Sequence, residues 1–166
     1  MINIFFRFWK IGSFLLLTVV VLFCYANLPE SIAINFDSKG NPVGFISQQQ
    51  FFYWTAGLIF FVNFLVSLLR NSLIKLNFKA LNPESAWANH PEATKNLIST
   101  WFNAFLAIIN TFLIFVVLGI NNINSDQSQR LDFNYNWFII GGAALLLIII
   151  FWLPVRLLFT NPPQED

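Results

Sequence analysis

The sequence predicts an all-α membrane protein: a four-helix transmembrane bundle carrying a small extracytoplasmic β-hairpin loop. Three observations predict it. Hydrophobic residues fill 57% of the 166 positions and charged residues only 10%, where a soluble domain carries about 25% charged residues. Four apolar segments approach the roughly 20 residues that a membrane-crossing helix needs: 9–27, 51–69, 97–120 and 137–158. The stretch LPESIAINFDSKGNPVGFIS at 28–47 interrupts the first two with apolar residues at Ile32, Ile34 and Phe36, a polar turn from Asp37 to Asn41, and a second short apolar run after Pro42. Alternation, turn and return are the pattern of a hairpin.

Each element follows in order. The first span opens with Arg7 and Lys10 ahead of the apolar run to Phe23 and a CYAN sequence, which is also the layout of a signal peptide. Apolar and aromatic residues begin before those cations, at Ile4, Phe5, Phe6, Phe8 and Trp9, so both cations are able to snorkel while the helix spans, and retention of the segment is expected. The outer loop 28–50 holds the hairpin; Gly40 supplies the positive φ of a tight turn, and Pro29 and Pro42 stiffen its entry and return. The 70–96 linker carries Asn89-His90-Pro91, a helix start with proline in the first turn and Glu92 at the positive end. A second outer loop, 121–136, leads into the last span, whose Gly141-Gly142-Ala143-Ala144 patch suits close helix approach. Aromatic flanks at Trp9, Tyr25, Tyr53, Trp54, Trp101, Tyr135, Trp137 and Trp152 suit the headgroup zones. The two outer loops share no landmarks, so no internal repeat is expected.

Seven basic residues (Arg7, Lys10, Arg70, Lys75, Lys79, Lys95, Arg156) fall on one side and two (Lys39, Arg130) on the other. The positive-inside rule then places both termini in the cytoplasm.

Little here carries chemistry. A net charge of +1 with cations scattered among loops gives no stripe for a phosphate backbone, so nucleic-acid binding is not expected. Cys24 is the sole cysteine and His90 the sole histidine, with no ligand spacing for a metal, no acidic calcium loop, and no phosphate loop or nucleophile elbow; no cofactor and no enzymatic activity are expected. No ionisable group lies deep within a span, which argues against proton-coupled transport. The intramembrane polar groups are amides and hydroxyls: Asn63 and Ser67, then Asn103, Asn110 and Thr111. Asn103 and Asn110, seven residues apart, share a helix face and should bond a neighbouring helix inside the bundle.

The 28–48 segment resembles the loop of a bacterial membrane family of unknown function whose domain also forms the N-terminal part of the sporulation-delay toxin immunity proteins. Leu28, Pro29, Ile32, Phe36, Gly40, Pro42, Gly44 and Ser47 match that pattern by identity, and Glu30, Asp37 and Phe45 by type. Ala33, Asn35, Val43 and Gln48 stand where the family has proline, histidine, aspartate and lysine, so the chemically strongest side chains are missing. The linker NFKALNPESAWANHPEATKNLISTWF is similar to that family's linker. The resemblance implies a hairpin-bearing outer loop on a helical bundle in the bacterial cytoplasmic membrane, and recognition, immunity or sensing rather than catalysis. Retained turn residues without ionisable ones suit binding by shape and backbone. Expected contact residues are Phe36, Gly40, Pro42, Gly44 and Phe45; besides the lipid bilayer, the expected partner is an extracytoplasmic peptide, lipid or protein. The alternative is a small transporter or channel subunit that works as a homo-oligomer, with Asn63, Asn103 and Asn110 lining its path.

Overall fold

A computed structural model describes residues 2–81, 83–132 and 134–162. The order of elements is α1 (Ile2–Asn27), β1 (Ser31–Phe36), β2 (Pro42–Ser47), α2 (Gln48–Leu73), the one-turn α3 (Phe78–Leu81), α4 (Pro91–Asn124) and α5 (Asn136–Phe159). The four long helices are each apolar enough to cross a membrane, and the chain is a multi-pass membrane protein with an antiparallel two-stranded hairpin between α1 and α2.

Every helix runs beyond the apolar segment that foretells it. α1 begins at Ile2, so Arg7 and Lys10 sit within the helix rather than at its end. α2 begins at Gln48, capped by Ser47, whose hydroxyl accepts from the Gln50 N–H while the Gln50 side chain accepts from the Ser47 N–H. This capping box satisfies two amide groups that a helix start otherwise leaves open. α4 starts at Pro91 after the N-cap His90 and ends at Asn124. Its 34 residues span about 51 Å at 1.5 Å per residue, far more than a hydrocarbon core of about 30 Å. The 70–96 linker and the 121–136 loop are correspondingly shorter than the apolar runs imply.

α1 and α4 form the principal pair of the bundle, with α2 against both. The core gathers Leu17, Val21 and Cys24 of α1, Phe51 and Ile59 of α2, and Ile114 and Val117 of α4 beneath Leu28 and Ile32 at the hairpin root. α5 packs on α4 and has no buried residue. Of its small-residue patch, Gly142 is the member pressed on α4: a Cβ there would meet the Phe112 ring at 2.0 Å, whereas one on Gly141 would meet nothing. Phe138 stacks on Phe112 with centroids 5.3 Å apart, and Trp101 donates its indole N–H to the Ile149 carbonyl at 2.5 Å. Trp101 thus ties α4 to α5.

The apolar alternation across β1 is broken, and the register shows why. Ile32 pairs with Ile46 and Ala33 with Phe45, but the next pairs are Asn35 with Gly44 and Phe36 with Pro42. Ile34 and Val43 are the residues left out of the pairing, and they are 50% and 60% exposed. A bulge rotates the following side chains to the other face; Ile32 and Ala33 are buried, and Ile34 is not the core residue that alternation makes it. Gly44 belongs to the same irregularity, since a Cβ on it would lie 3.0 Å from that of Asn35.

Candidate functional site

The hairpin tip is built around Asp37. Its carboxylate accepts from the N–H groups of Lys39 and Asn41, both at 2.8 Å, and from the Asn41 side chain at 3.0 Å. The Gly40 N–H donates to the Asp37 carbonyl and the Asp37 N–H to the Asn41 carbonyl. With Gly40 at φ 80°, this is the three-residue loop that ends in a left-handed glycine. The Asn41 amide, then its backbone N–H, holds the Asp37 carboxyl below the usual carboxylate range, with the Lys39 N–H and the Arg130 charge acting in the same direction.

The tip does not stand free. The Leu131 N–H donates to the Gly40 carbonyl at 2.9 Å, and Arg130 donates to the Lys39 carbonyl at 3.3 Å, so the loop between α4 and α5 lies against the turn. Gly40 is therefore fixed twice, by its φ and by the Leu131 carbonyl oxygen, which a Cβ would approach to 2.5 Å. At the hairpin root, Gln48 donates to the carbonyls of Tyr25 and Leu28. Asn124, on the last turn of α4, accepts from the Ala33 N–H at 2.7 Å and donates to the Ala33 carbonyl at 3.2 Å. Gln129 donates to the Ser31 carbonyl at 2.7 Å. Two side-chain amides thus occupy the edge of β1, which would otherwise be open to pairing with another strand.

Between this tip, the 125–135 loop and the adjoining ends of α4 and α5 lies a pocket of about 540 Å³. Phe36 and Gly40 line it from the hairpin, Phe115 and Gly119 from α4, and Leu131 and Tyr135 from the loop. Most of its lining is apolar, and Lys39, Asp132 and Asn134 also line it. Of the five hairpin residues expected to make contact, the structure brings Phe36 and Gly40 to this pocket; Pro42, Gly44 and Phe45 do not line it. Phe45 is half-exposed elsewhere on the hairpin. A larger groove of about 930 Å³ runs along α1, α4 and α5 at the bundle end away from the hairpin. Several of its polar groups have partners: Asn3 bonds Asn96, Glu92 pairs with Lys95 at 3.0 Å, and the Arg156 guanidinium lies 5.3 Å from the centre of the Trp152 ring.

The intramembrane amides are also bound to each other. Asn63 donates to Asn110 at 2.9 Å and Asn110 donates back at 3.1 Å, a closed pair between α2 and α4 in which Asn110 is 0% exposed. Asn103 accepts from Arg70 at 3.2 Å and donates to Asn3 at 3.3 Å. Neither Asn3, Asn96 nor Asn124 stands out from composition or hydropathy. A signal for two of them exists in the spacing: Asn96, Asn103, Asn110 and Asn124 recur at multiples of seven, and each bonds α1, α2 or β1. At the one intervening position, Val117, the backbone carbonyl takes the bond instead, from the Cys24 thiol at 4.0 Å. A seven-residue repeat keeps one stripe of a helix on its neighbours, and here that stripe carries an amide at every step but Val117.

Among the described residues no three His, Cys, Asp or Glu side chains come together as a metal site; the ring of His90 faces the Ala86 carbonyl at 3.0 Å. No family model, curated protein or solved structure matches the chain.

Proposed function

We propose that this is a non-enzymatic recognition protein of the bacterial cytoplasmic membrane, of the immunity or sensing kind, with both termini cytoplasmic. It takes an apolar side chain or short apolar segment of an extracytoplasmic peptide or protein into the pocket beneath the hairpin tip. The observation that carries this reading is the double fixation of the tip: Gly40 and Lys39 are tied to the second outer loop by Leu131 and Arg130, so the pocket walls are held before a partner arrives. Preorganisation of this kind lowers the ordering cost of binding. Against the transporter alternative stands the reciprocal bonding of Asn63 and Asn110, which leaves those amides no free donor pair for a solute.

Photoreactive residues at Phe36 and at Phe45 in living cells test the pocket. Capture of one defined species from position 36, weak or absent from position 45 and lost in Gly40→Val, is the expected result. Absence of capture from position 36, with solute flux through purified protein in liposomes, replaces recognition with transport.

A further inference from the structure

α1 and α2 contain no Asp or Glu, yet three cations gather where α1 begins and α2 ends: Arg70 of α2 is tied through Asn103 to Asn3 of α1, and Arg7 and Lys10 follow Asn3 by four and seven residues on the same helix face. Among the described residues the only ion pairs are Lys95 with Glu92 and Arg130 with Asp132, so none of the three has an acidic partner. Lys10 is half-buried, and neither its ammonium nor the Arg7 guanidinium donates to a described protein group. A half-buried cation beside like charges, with no acceptor, is the arrangement that an anion relieves.

Arg70 is held in place for the task. Its Nε and Nη2 donate to Asn71 at 3.2 and 3.0 Å and its Nη1 to Asn103 at 3.2 Å. Asn103 donates in turn to Asn3, and Asn3 to Asn96. This chain of amides ties one guanidinium to α1 and α4. A guanidinium has five N–H groups, so two remain for a ligand.

We propose that Arg7, Lys10 and Arg70 form a seat for the phosphate of an anionic phospholipid at the inner end of the seam between α1 and α2. The lipid origin of the phosphate follows from the surroundings: Phe5, Phe8, Ile11, Leu68 and Leu69 on the same helix ends are exposed and apolar, so acyl chains cover them while the headgroup meets the cations. The anionic choice follows from charge, since a choline or ethanolamine headgroup adds a cation to a site that holds three already. Topology alone asks only for cations on the inner side, not for their convergence on one half-buried ammonium. This seat is independent of the outer pocket.

The experiment counts lipids retained by the purified protein in native mass spectrometry after exchange into phosphatidylglycerol or phosphatidylcholine. It is paired with melting curves in phosphatidylglycerol and in inorganic phosphate at matched concentration. The wild type should retain phosphatidylglycerol in preference to phosphatidylcholine and melt higher with it. Lys10→Gln and Arg7→Gln should each weaken retention about fivefold, the worth of one basic residue near an anionic surface, while Lys75→Gln, on the same side but in the linker, should leave it unchanged. Arg70→Gln also breaks the bond to Asn103; if it lowers stability in phosphatidylcholine, the other two variants decide. Equal retention in Lys10→Gln, Arg7→Gln and wild type overturns the seat. Equal stabilisation by inorganic phosphate overturns its assignment to lipid.

Discussion

Replacing Asn110 by Leu separates an amide held as glue from one held for a passing solute. Asn110 is fully buried and exchanges two hydrogen bonds with Asn63 across α2 and α4. The replacement removes both and leaves the Asn63 carbonyl oxygen without its partner, whereas the Asn63 N–H₂ keeps the Ile59 carbonyl at 2.9 Å. Orphaning a buried polar group costs about 1–3 kcal/mol, and interhelical bonds within membranes are worth about 0.6 kcal/mol on average and about 1.7 at most. A loss of about 1–2 kcal/mol is therefore expected for Asn110→Leu. Asn63→Leu should cost a similar amount, and Asn63→Leu with Asn110→Leu less than the two added, since the pair then leaves nothing unsatisfied. Reversible unfolding in mixed micelles measures all four corners of this cycle. Additive single effects, with a coupling below about 0.3 kcal/mol, would mean that the two amides do not act on each other, and the closed pair would lose its place in the argument against a permeation path.

Gly40→Val combines a β-branched residue at φ 80° with a 2.5 Å approach to the Leu131 carbonyl; the left-handed conformation alone costs about 1–2 kcal/mol, and the melting temperature should fall while membrane insertion is retained. Asn124→Leu removes the amide that pairs with both backbone groups of Ala33, so hydrogen exchange at Ala33 should accelerate at least tenfold with little change in α4; unchanged protection would show that the clasp is dispensable. The Asp37 carboxyl is held below its ordinary value, so its contribution to the turn is complete above the unfolded value of about 3.9 and is lost as pH falls through the lower folded one. Exchange at Lys39 and Asn41, corrected for the intrinsic rate, should accordingly be flat from neutral pH to about pH 5 and rise only in more acid solution, and Asp37→Asn should abolish that rise. Gly142→Leu should detach α5 from Phe112 and destabilise the bundle, whereas Gly141→Leu, which meets nothing, should not.

Much of this architecture is legible in the sequence because the membrane simplifies it. A run such as 97–120 has to be helical, since hydrocarbon offers its backbone no other partner, and the Asp37-to-Asn41 turn is marked by the one residue, Gly40, that tolerates its φ. What escapes composition and period is long-range. The bulge that exposes Ile34 depends on how β1 and β2 meet at Asn35 and Gly44. The polar overhang of α4 is written as an ordinary loop, NNIN, and only the position of Ala33 turns Asn124 into a clasp. Hydropathy likewise ends the first span at Trp9, although α1 continues to Ile2 and carries Lys10 inside it. At the candidate site, Phe36 and Gly40 were visible from the hairpin, but their partners Leu131 and Tyr135 lie some 90 positions away and are joined to them only by the folding of the second loop.

Both proposals depend on one orientation, with the hairpin outside and the cations of α1 and α2 inside. Single cysteines at Ser38 on the hairpin tip and at Glu84 in the linker, both exposed positions, in a Cys24→Ala background and treated in intact cells with a membrane-impermeant thiol reagent, test it directly. The account predicts labelling at Ser38→Cys and none at Glu84→Cys until the membrane is opened; labelling at Glu84→Cys with protection at Ser38→Cys contradicts it.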